Sequence, residues 1–173
     1  MTDVFLGLGS NLGRRMRNLE KALKILDTKA GTLTALSPVY ESRAVGFTSV
    51  RLFLNMCASL KTGLKAPELM ELLLETEALL GRQRSGTGST DRSIDLDILL
   101  YGNNIIREQS LVIPHPRMHL RYFVMRPLAD IAGQVKHPLL KESMSALAER
   151  CGDKDGTRRY SGAQLNLKLQ GHV

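Results

Sequence analysis

Two aspartates one residue apart, Asp95 and Asp97, are the most chemically suggestive pair in the sequence. They fall in an alternating stretch, residues 93–101, with Ile94, Leu96, Ile98 and Leu100 on one side and the two carboxylates on the other. Period two is the signature of a strand, in which residues i and i+2 project from one face, roughly 7 Å apart along the backbone. Like charges that close repel unless a cation neutralises them. A divalent metal or an arginine would serve. Arg82, Arg84 and Arg92 lie just upstream, and residues 81–91 hold three glycines and no large apolar side chain, the composition of a mobile loop. An acidic pair beside a basic flexible loop is what a Mg²⁺–polyphosphate site requires.

Other polar residues stand where packing alone does not explain them. Asn55 lies in the apolar run 53–60 with Phe53 on the same face. A buried Asn must find hydrogen-bond partners. Backbone groups satisfy it in the commoner case; otherwise it reads a polar heterocycle while Phe53 stacks on the ring. His115 is fixed between Pro114 and Pro116, with Arg117, His119 and Arg121 following. That rigidity suits a functional group or a structural hydrogen bond, and His119 reads as surface. Gly9-Ser10-Asn11 has the look of a phosphate-cradling turn but lacks the GxGxxG or Walker spacing, so a plain turn with a helix cap is as good a reading. Glu77 falls near the C-terminal end of a helix, where the dipole disfavours an anion, and on its own reads as a solvated carboxylate.

The elements that must position these groups follow from periodicity. Residues 4–8 read as a strand running into a turn. Met16, Leu19, Leu23 and Leu26 mark a helix over 15–26 that Gly31 ends. Residues 33–40 and 53–60 read as strands flanking a loop of about ten residues, a length that is often functional. Residues 67–80 form the strongest helix, opened by Pro67 and Glu68 and stopped by Gly81, with a buried stripe of Leu69, Leu72, Leu73, Thr76 and Leu80. After the aspartate strand come short strands at 105–106 and 111–113, a helix or turn from 122, a short helix over 143–149, a polar segment at 151–159, and a terminal strand or loose tail over 160–173. The order β-α-β-β-α-β predicts an α+β, ferredoxin-like antiparallel sheet with two helices on one face, plus C-terminal additions. That fold decides no function by itself. A length of 173 residues reads as a single domain over 1–173, with about 140–173 an extension.

The net charge of +7 points to an anionic partner. A nucleic-acid-binding module would suit the charge and the fold, but there are no paired sheet aromatics for stacking bases, and Asp95 and Asp97 would repel phosphate without a metal. Cys57 and Cys151 are too few for a disulfide scaffold or zinc site and read as free thiols in a reducing compartment, with Cys57 in the core. No apolar run is long enough to span a membrane, and the N-terminus reads as a strand rather than a secretory signal. Cytoplasmic localisation is the expectation.

Residues 92–100, Arg-Ser-Ile-Asp-Leu-Asp-Ile-Leu-Leu, resemble the signature of the 6-hydroxymethyl-7,8-dihydropterin pyrophosphokinases of folate biosynthesis. The resemblance continues in Gly9-Ser10-Asn11-Leu12, Phe53-Leu54-Asn55, Gly81-Arg82-x-Arg84 and Pro114-His115 with Arg121 and Phe123, five segments in order over about residues 1–130. It implies transfer of the β,γ-pyrophosphoryl group of ATP to the pterin hydroxymethyl oxygen with release of AMP, and two Mg²⁺ ions on Asp95 and Asp97. It implies that Arg82, Arg84 and Arg92 close over the triphosphate. It places Glu77, Ile98, His115 and Arg121 on the nucleotide side. On the pterin side it implies Asn55 reading the amide edge, Phe53 and Phe123 sandwiching the ring, Asp95 beside it, and Ser42 to Gly46 (with Val45) closing the pocket. Catalysis would rest mainly on metal charge and alignment. A monomer acting on small molecules, without nucleic acid or membrane, is the default expectation. A homologue that binds ATP or pterin with little catalysis is the alternative.

Two segments depart from the family pattern. Ser89-Thr90-Asp91 replaces a Trp followed by a Gly-Pro-like pair, placing an extra negative charge before Arg92. Ser42-Arg43-Ala44-Val45-Gly46 replaces a proline-stiffened loop.

Overall fold

The longest strand, β4 (Phe53–Thr62), is the axis of the sheet: its central position exposes it to partners on both edges. The computed structural model describes residues 1–84, 86, 88–152, 154, 156–167 and 169. On one edge β4 pairs antiparallel with β1 (Thr2–Ser10), which pairs antiparallel with β5 (Asp95–Tyr101). On the other it pairs with β2 (Thr32–Leu36) and then β3 (Tyr40–Ser42). A short β8 (Arg158–Arg159) continues the sheet beyond β3, and β6 (Ile106–Glu108) with β7 (Leu111–Ile113) forms a separate hairpin. The class is α+β with an antiparallel sheet.

The sheet has two differently used faces. Val4, Leu6, Leu8, Leu54, Met56 and Leu60 bury one face against α1 (Arg15–Lys29) and α2 (Ala66–Leu79). In α1 the core residues Leu19, Ala22, Leu23 and Leu26 keep the i, i+3, i+4, i+7 spacing of one helical stripe. Each fully buried Leu contributes about 2 kcal/mol of transfer free energy. The opposite face is only partly covered, by α3 (Tyr122–Ala132) and α4 (Met144–Arg150), which enclose Cys57, Leu99 and Leu100. The uncovered part of that face is where the site forms.

Several boundaries differ from those read in the sequence. The strand expected over 33–40 is split into β2 and β3 by Ser37-Pro38-Val39, because Pro38 has no N–H for the ladder. Ser37 keeps contact with β4 across the break through Cys57, donating its N–H to the Cys57 carbonyl and accepting the Cys57 N–H on its Oγ, both at 2.9 Å. β1 does not turn at Gly9 but runs to Ser10, so the glycines lie inside the sheet. Neither Ser10 nor Asn11 caps α1; its N-cap is Arg14. Leu100 does not share a face with Ile94, Leu96 and Ile98. A bulge opposite Phe5 and Leu6 inserts Leu99, which sends Leu100 to the α3 side. The last strand, Arg158–Arg159, falls in the segment read as polar, and no strand follows it among the described residues. The end of the 160–173 segment lies outside the described residues, as do Ser85 and Thr87 of the arginine loop and Asp153 and Asp155 of the polar segment. Both cysteines are free and buried, and burial pushes the Cys57 thiol pKa far up.

Candidate active site

Antiparallel register puts two glycines of β1 between two functional strands. Gly9 pairs with Asp95 of β5 and Asn55 of β4, and Gly7 pairs with Asp97 and Cys57. A Cβ at Gly9 would stand 3.2 Å from Asn55 Oδ1 and 3.6 Å from the Phe53 ring. The missing side chains leave a trough between the carboxylates on one side and Phe53 and Asn55 on the other. This trough is the floor of a cleft of about 710 Å³, counting its open mouth.

Asp95 and Asp97 share the cleft face as the alternation required, but their charges are balanced unequally. Asp95 accepts from Arg82 at 2.5 Å and pairs with Arg92 at 3.2 Å. Asp97 forms no ion pair among the described residues. Burial, then the charges of Asp95 and Glu77, raise its pKa to about 7. No cluster of three or more His, Cys, Asp or Glu among the described residues is spaced to hold a metal. A carboxylate pair with one unpaired member nevertheless fits Mg²⁺, which binds through one or two carboxylates and completes its octahedron with waters and phosphate oxygens.

Glu77 is not a surface residue: it is 2% exposed. The α2 end turns it inward, where Oε1 accepts from Arg82 (2.6 Å) and the Leu96 N–H (2.8 Å) and Oε2 accepts from Arg84 (2.5 Å). It therefore orients the arginine that reaches Asp95. Arg84 itself is largely exposed. Ile98 does not line the cleft; its side chain is in the core beneath it.

His115 lies on the cleft wall, its N–H donating to the Leu99 carbonyl at 3.0 Å and its Nδ1 accepting the Arg117 N–H at 3.2 Å. Burial, then Arg121 and Arg117, depress its pKa to about 4. At neutral pH the ring is uncharged, and with Nδ1 accepting, Nε2 carries the proton and is a donor. Burial and Arg117 also lower the pKa of Arg121, whose guanidinium lies 5.8 Å over the Phe123 ring.

The opposite side is aromatic and amide. Asn55 donates to Ser42 Oγ at 2.8 Å, which fixes its amide from β3. Phe53, Phe123, Ser42 and Val45 line the cleft with it. Phe47, whose ring meets Phe53 edge-on at 6.1 Å, and Ser89 join the cleft lining without any signal of spacing in the sequence. The Arg92 guanidinium lies 5.6 Å from the Phe47 ring and 5.2 Å from that of Phe53, bridging the acidic and aromatic sides. Phe47 sits in an irregular loop, where no periodicity marks it; an aromatic in a polar loop was the available signal.

The comparisons with known proteins bear on the family of the chain. A family model described as 7,8-dihydro-6-hydroxymethylpterin-pyrophosphokinase (HPPK) matches residues 5–133. The 2-amino-4-hydroxy-6-hydroxymethyldihydropteridine pyrophosphokinase of Bacillus subtilis is 41% identical over 150 residues, covering 86% of this chain and 87% of that one. The protein of the same name from Porphyromonas gingivalis is 41% identical over 135 residues, covering 76% and 92%. The folic acid synthesis protein fol1 of Pneumocystis carinii is 37% identical over 152 residues, and there the match spans 88% of this chain but 20% of the relative. An HPPK-DHPS crystal structure superposes with a TM-score of 0.72 at 14% identity over 91% of this chain and 46% of that one, a likeness of fold.

Proposed function

Because the chain belongs to the 7,8-dihydro-6-hydroxymethylpterin-pyrophosphokinase family, we propose that its cleft transfers the β,γ-pyrophosphoryl group of ATP to 6-hydroxymethyl-7,8-dihydropterin, giving the pterin diphosphate and AMP. The observation that carries the reading is the pairing of two unlike walls across the β1 glycines. One offers Asp95 and Asp97 with Arg82 and Arg92; the other offers Phe53, Asn55 and Phe123. A polyphosphate fits the first wall and a flat heterocycle the second.

In this reading the bond from the hydroxymethyl oxygen to the β-phosphorus forms as the bond from that phosphorus to the α,β-bridging oxygen breaks, and the hydroxymethyl proton is released. Asp95 and Asp97 would hold two Mg²⁺ ions. Bound there, the metal supplies charge neutralisation of the triphosphate and a template for in-line attack. Arg92 and Arg82 orient the phosphates with guanidinium forks, and neutral His115 donates from Nε2 while Arg121 adds charge. Arg84, exposed on the loop, joins when the loop closes over ATP. Ile98 would touch the nucleotide only through its backbone. Asn55 presents one amide edge to the pterin while Phe53 and Phe123 stack on its faces, and Val45 and Ser42 close the rim.

The strand order β5-β1-β4 followed by β2 and β3, with α1 and α2 on one face, supports a ferredoxin-like core for this domain. Residues 1–133 would form that core, and the segment from about 140 an extension that packs α4 on α3 and adds β8 to β3. No helix among the described residues is long and apolar enough to cross a membrane. The proposed enzyme is a cytoplasmic monomer acting on small molecules, without nucleic acid. The test is AMP release from ATP and Mg²⁺ with and without the pterin. AMP that appears only with the pterin is the expected result. ADP would mean an ordinary kinase or ATPase, and tight ATP binding without AMP would mean a binder.

A further inference from the structure

The loop over residues 43–52 closes the aromatic end of the cleft, yet it contains no regular structure. Ser42 and Phe53 at its ends belong to paired strands, but among the described residues no backbone–backbone hydrogen bond starts or ends within the loop. Val45 and Phe47 nonetheless line the cleft. Such a loop needs side-chain ties to hold one position against its conformational entropy.

The two ends of the loop are tied by Ser42 Oγ, which donates to the Arg43 carbonyl at 3.3 Å, and by Arg15, which donates to the Leu52 carbonyl at 2.9 Å; between them one carboxylate provides the ties. Asp91 Oδ1 accepts from Ser49 Oγ at 2.6 Å and from Asn11 Nδ2 at 2.7 Å, while Oδ2 accepts from Arg51 at 2.7 Å. Ser49 Oγ in turn accepts the Arg51 N–H at 3.0 Å, which tightens the turn being gripped. The Ser49 and Arg51 bonds hold the Asp91 carboxyl below its usual pKa. The extra negative charge before Arg92 is thus already satisfied, and it faces the loop. Asn11 is buried and anchors the cluster to the end of β1. Arg92 is tied through other atoms of Asn11: its N–H donates to Asn11 Oδ1 at 2.8 Å, and its carbonyl accepts the Asn11 N–H at 3.1 Å. Loss of the Asp91 carboxylate would therefore release the 43–52 loop and leave Arg92 in place.

We propose that Asp91 is a positioning residue for the pterin: it latches the 43–52 loop to the rigid Asn11–Arg92 junction and so holds Phe47 and Val45 against the ring site. The pterin part of this inference rests on the function proposed above; the latch itself does not.

The test compares Asp91→Ala and Asp91→Asn with the unaltered protein in two assays. In the first, ligand-free protein is digested with trypsin, and cleavage after the exposed Arg43 and Arg51 is timed against cleavage after Arg107 in the separate hairpin. Asp91→Ala is expected to be cut at those loop sites about tenfold faster, the change that loss of hydrogen bonds worth about 1.4 kcal/mol gives. Asp91→Asn, which keeps an acceptor for Ser49 or Asn11, is expected to fall between. In the second assay the KM for the pterin is expected to rise about tenfold in Asp91→Ala while the KM for ATP changes less than about twofold. If Asp91→Ala does not fold, Ser49→Ala carries the test, with a smaller rise of about threefold in loop cleavage. Unchanged loop cleavage in the folded variant overturns the latch. Faster cleavage with both KM values rising equally overturns the pterin role. Should the unaltered protein release no AMP, the proposed function fails while the cleavage assay still decides the latch.

Discussion

The two walls of the cleft are held in place by different physics. On the strand wall, Asp95 and Asp97 are positioned by the β1–β5 ladder, whose register cannot slip by one residue without turning every side chain to the wrong face. Geometry there comes from the sheet, and the cost of the site is electrostatic: two carboxylates side by side, one of them without an ion-pair partner among the described residues. On the loop wall, the segment that carries Phe47 and Val45 is held by a few side-chain hydrogen bonds, those of Ser49 and Arg51 to Asp91 and of Arg15 to the Leu52 carbonyl, and the cost is entropic. Changes on the strand wall should therefore alter charge and chemistry without altering shape. Changes on the loop wall should alter substrate affinity.

Asp97→Ala is the sharpest way to break the strand wall and carries the largest expected effect. Turnover with Mg²⁺-ATP should fall by about a thousandfold or more, because the unpaired half of the proposed metal site is gone, while circular dichroism stays native. Normal turnover would sink the two-carboxylate assignment. The electrostatic cost is measurable separately in the metal-free protein. A carboxyl whose folded pKa is raised from its ordinary value to about 7 contributes stability that is fully present below pH 4 and is lost as pH rises towards 7. His115, depressed to about 4, acts in the opposite direction, since its neutral folded form gains stability as pH rises from about 4 to 6.5. The difference between the protein and Asp97→Asn isolates the aspartate. The variant's relative stability should grow between pH 4 and pH 7, and a constant difference across that range would mean that Asp97 is not perturbed.

What was legible in the sequence follows the same division. Period-two alternation located Asp95 and Asp97 on one strand face and Phe53 and Asn55 on another, and helical periodicity located both helices beneath them. These patterns report burial against a flat core, which sequence records directly. Leu100 was misplaced because a single bulge shifts the phase of the pattern without leaving a mark in it. The burial of Glu77 leaves no local mark, because it depends on Arg82, Arg84 and the Leu96 N–H arriving from the far side of a loop. The Asp91 cluster was invisible for the same reason: Asn11, Ser49 and Asp91 meet across 40 to 80 residues of sequence through loops with no period.

Arg92→Ala tests the point where the walls touch, since its guanidinium pairs with Asp95 and lies over Phe47 and Phe53. The expected loss is roughly 3 kcal/mol in transition-state stabilisation, of order a hundredfold in kcat/KM, the scale of a lost oxyanion donor. Most of it should appear in kcat if the residue acts on the phosphates. A change confined to the KM for the pterin would instead make Arg92 part of the aromatic wall.

The effects expected around Glu77 fall on stability rather than turnover. Its carboxylate serves three donors at once, so Glu77→Ala strands the buried Leu96 N–H and leaves Arg82, which is 14% exposed, with Asp95 as its remaining carboxylate partner. An unsatisfied buried donor together with a weakened buried ion pair should cost about 2–3 kcal/mol in urea unfolding. Glu77→Gln keeps an acceptor for Leu96 and should cost about 1 kcal/mol. Arg84→Ala, removing a partner that is 60% exposed, should cost less than about 1 kcal/mol. That order separates a buried organiser of the strand wall from a surface carboxylate: if all three variants unfold at the same urea concentration as the parent, Glu77 is solvated and Arg82 is held by Asp95 alone.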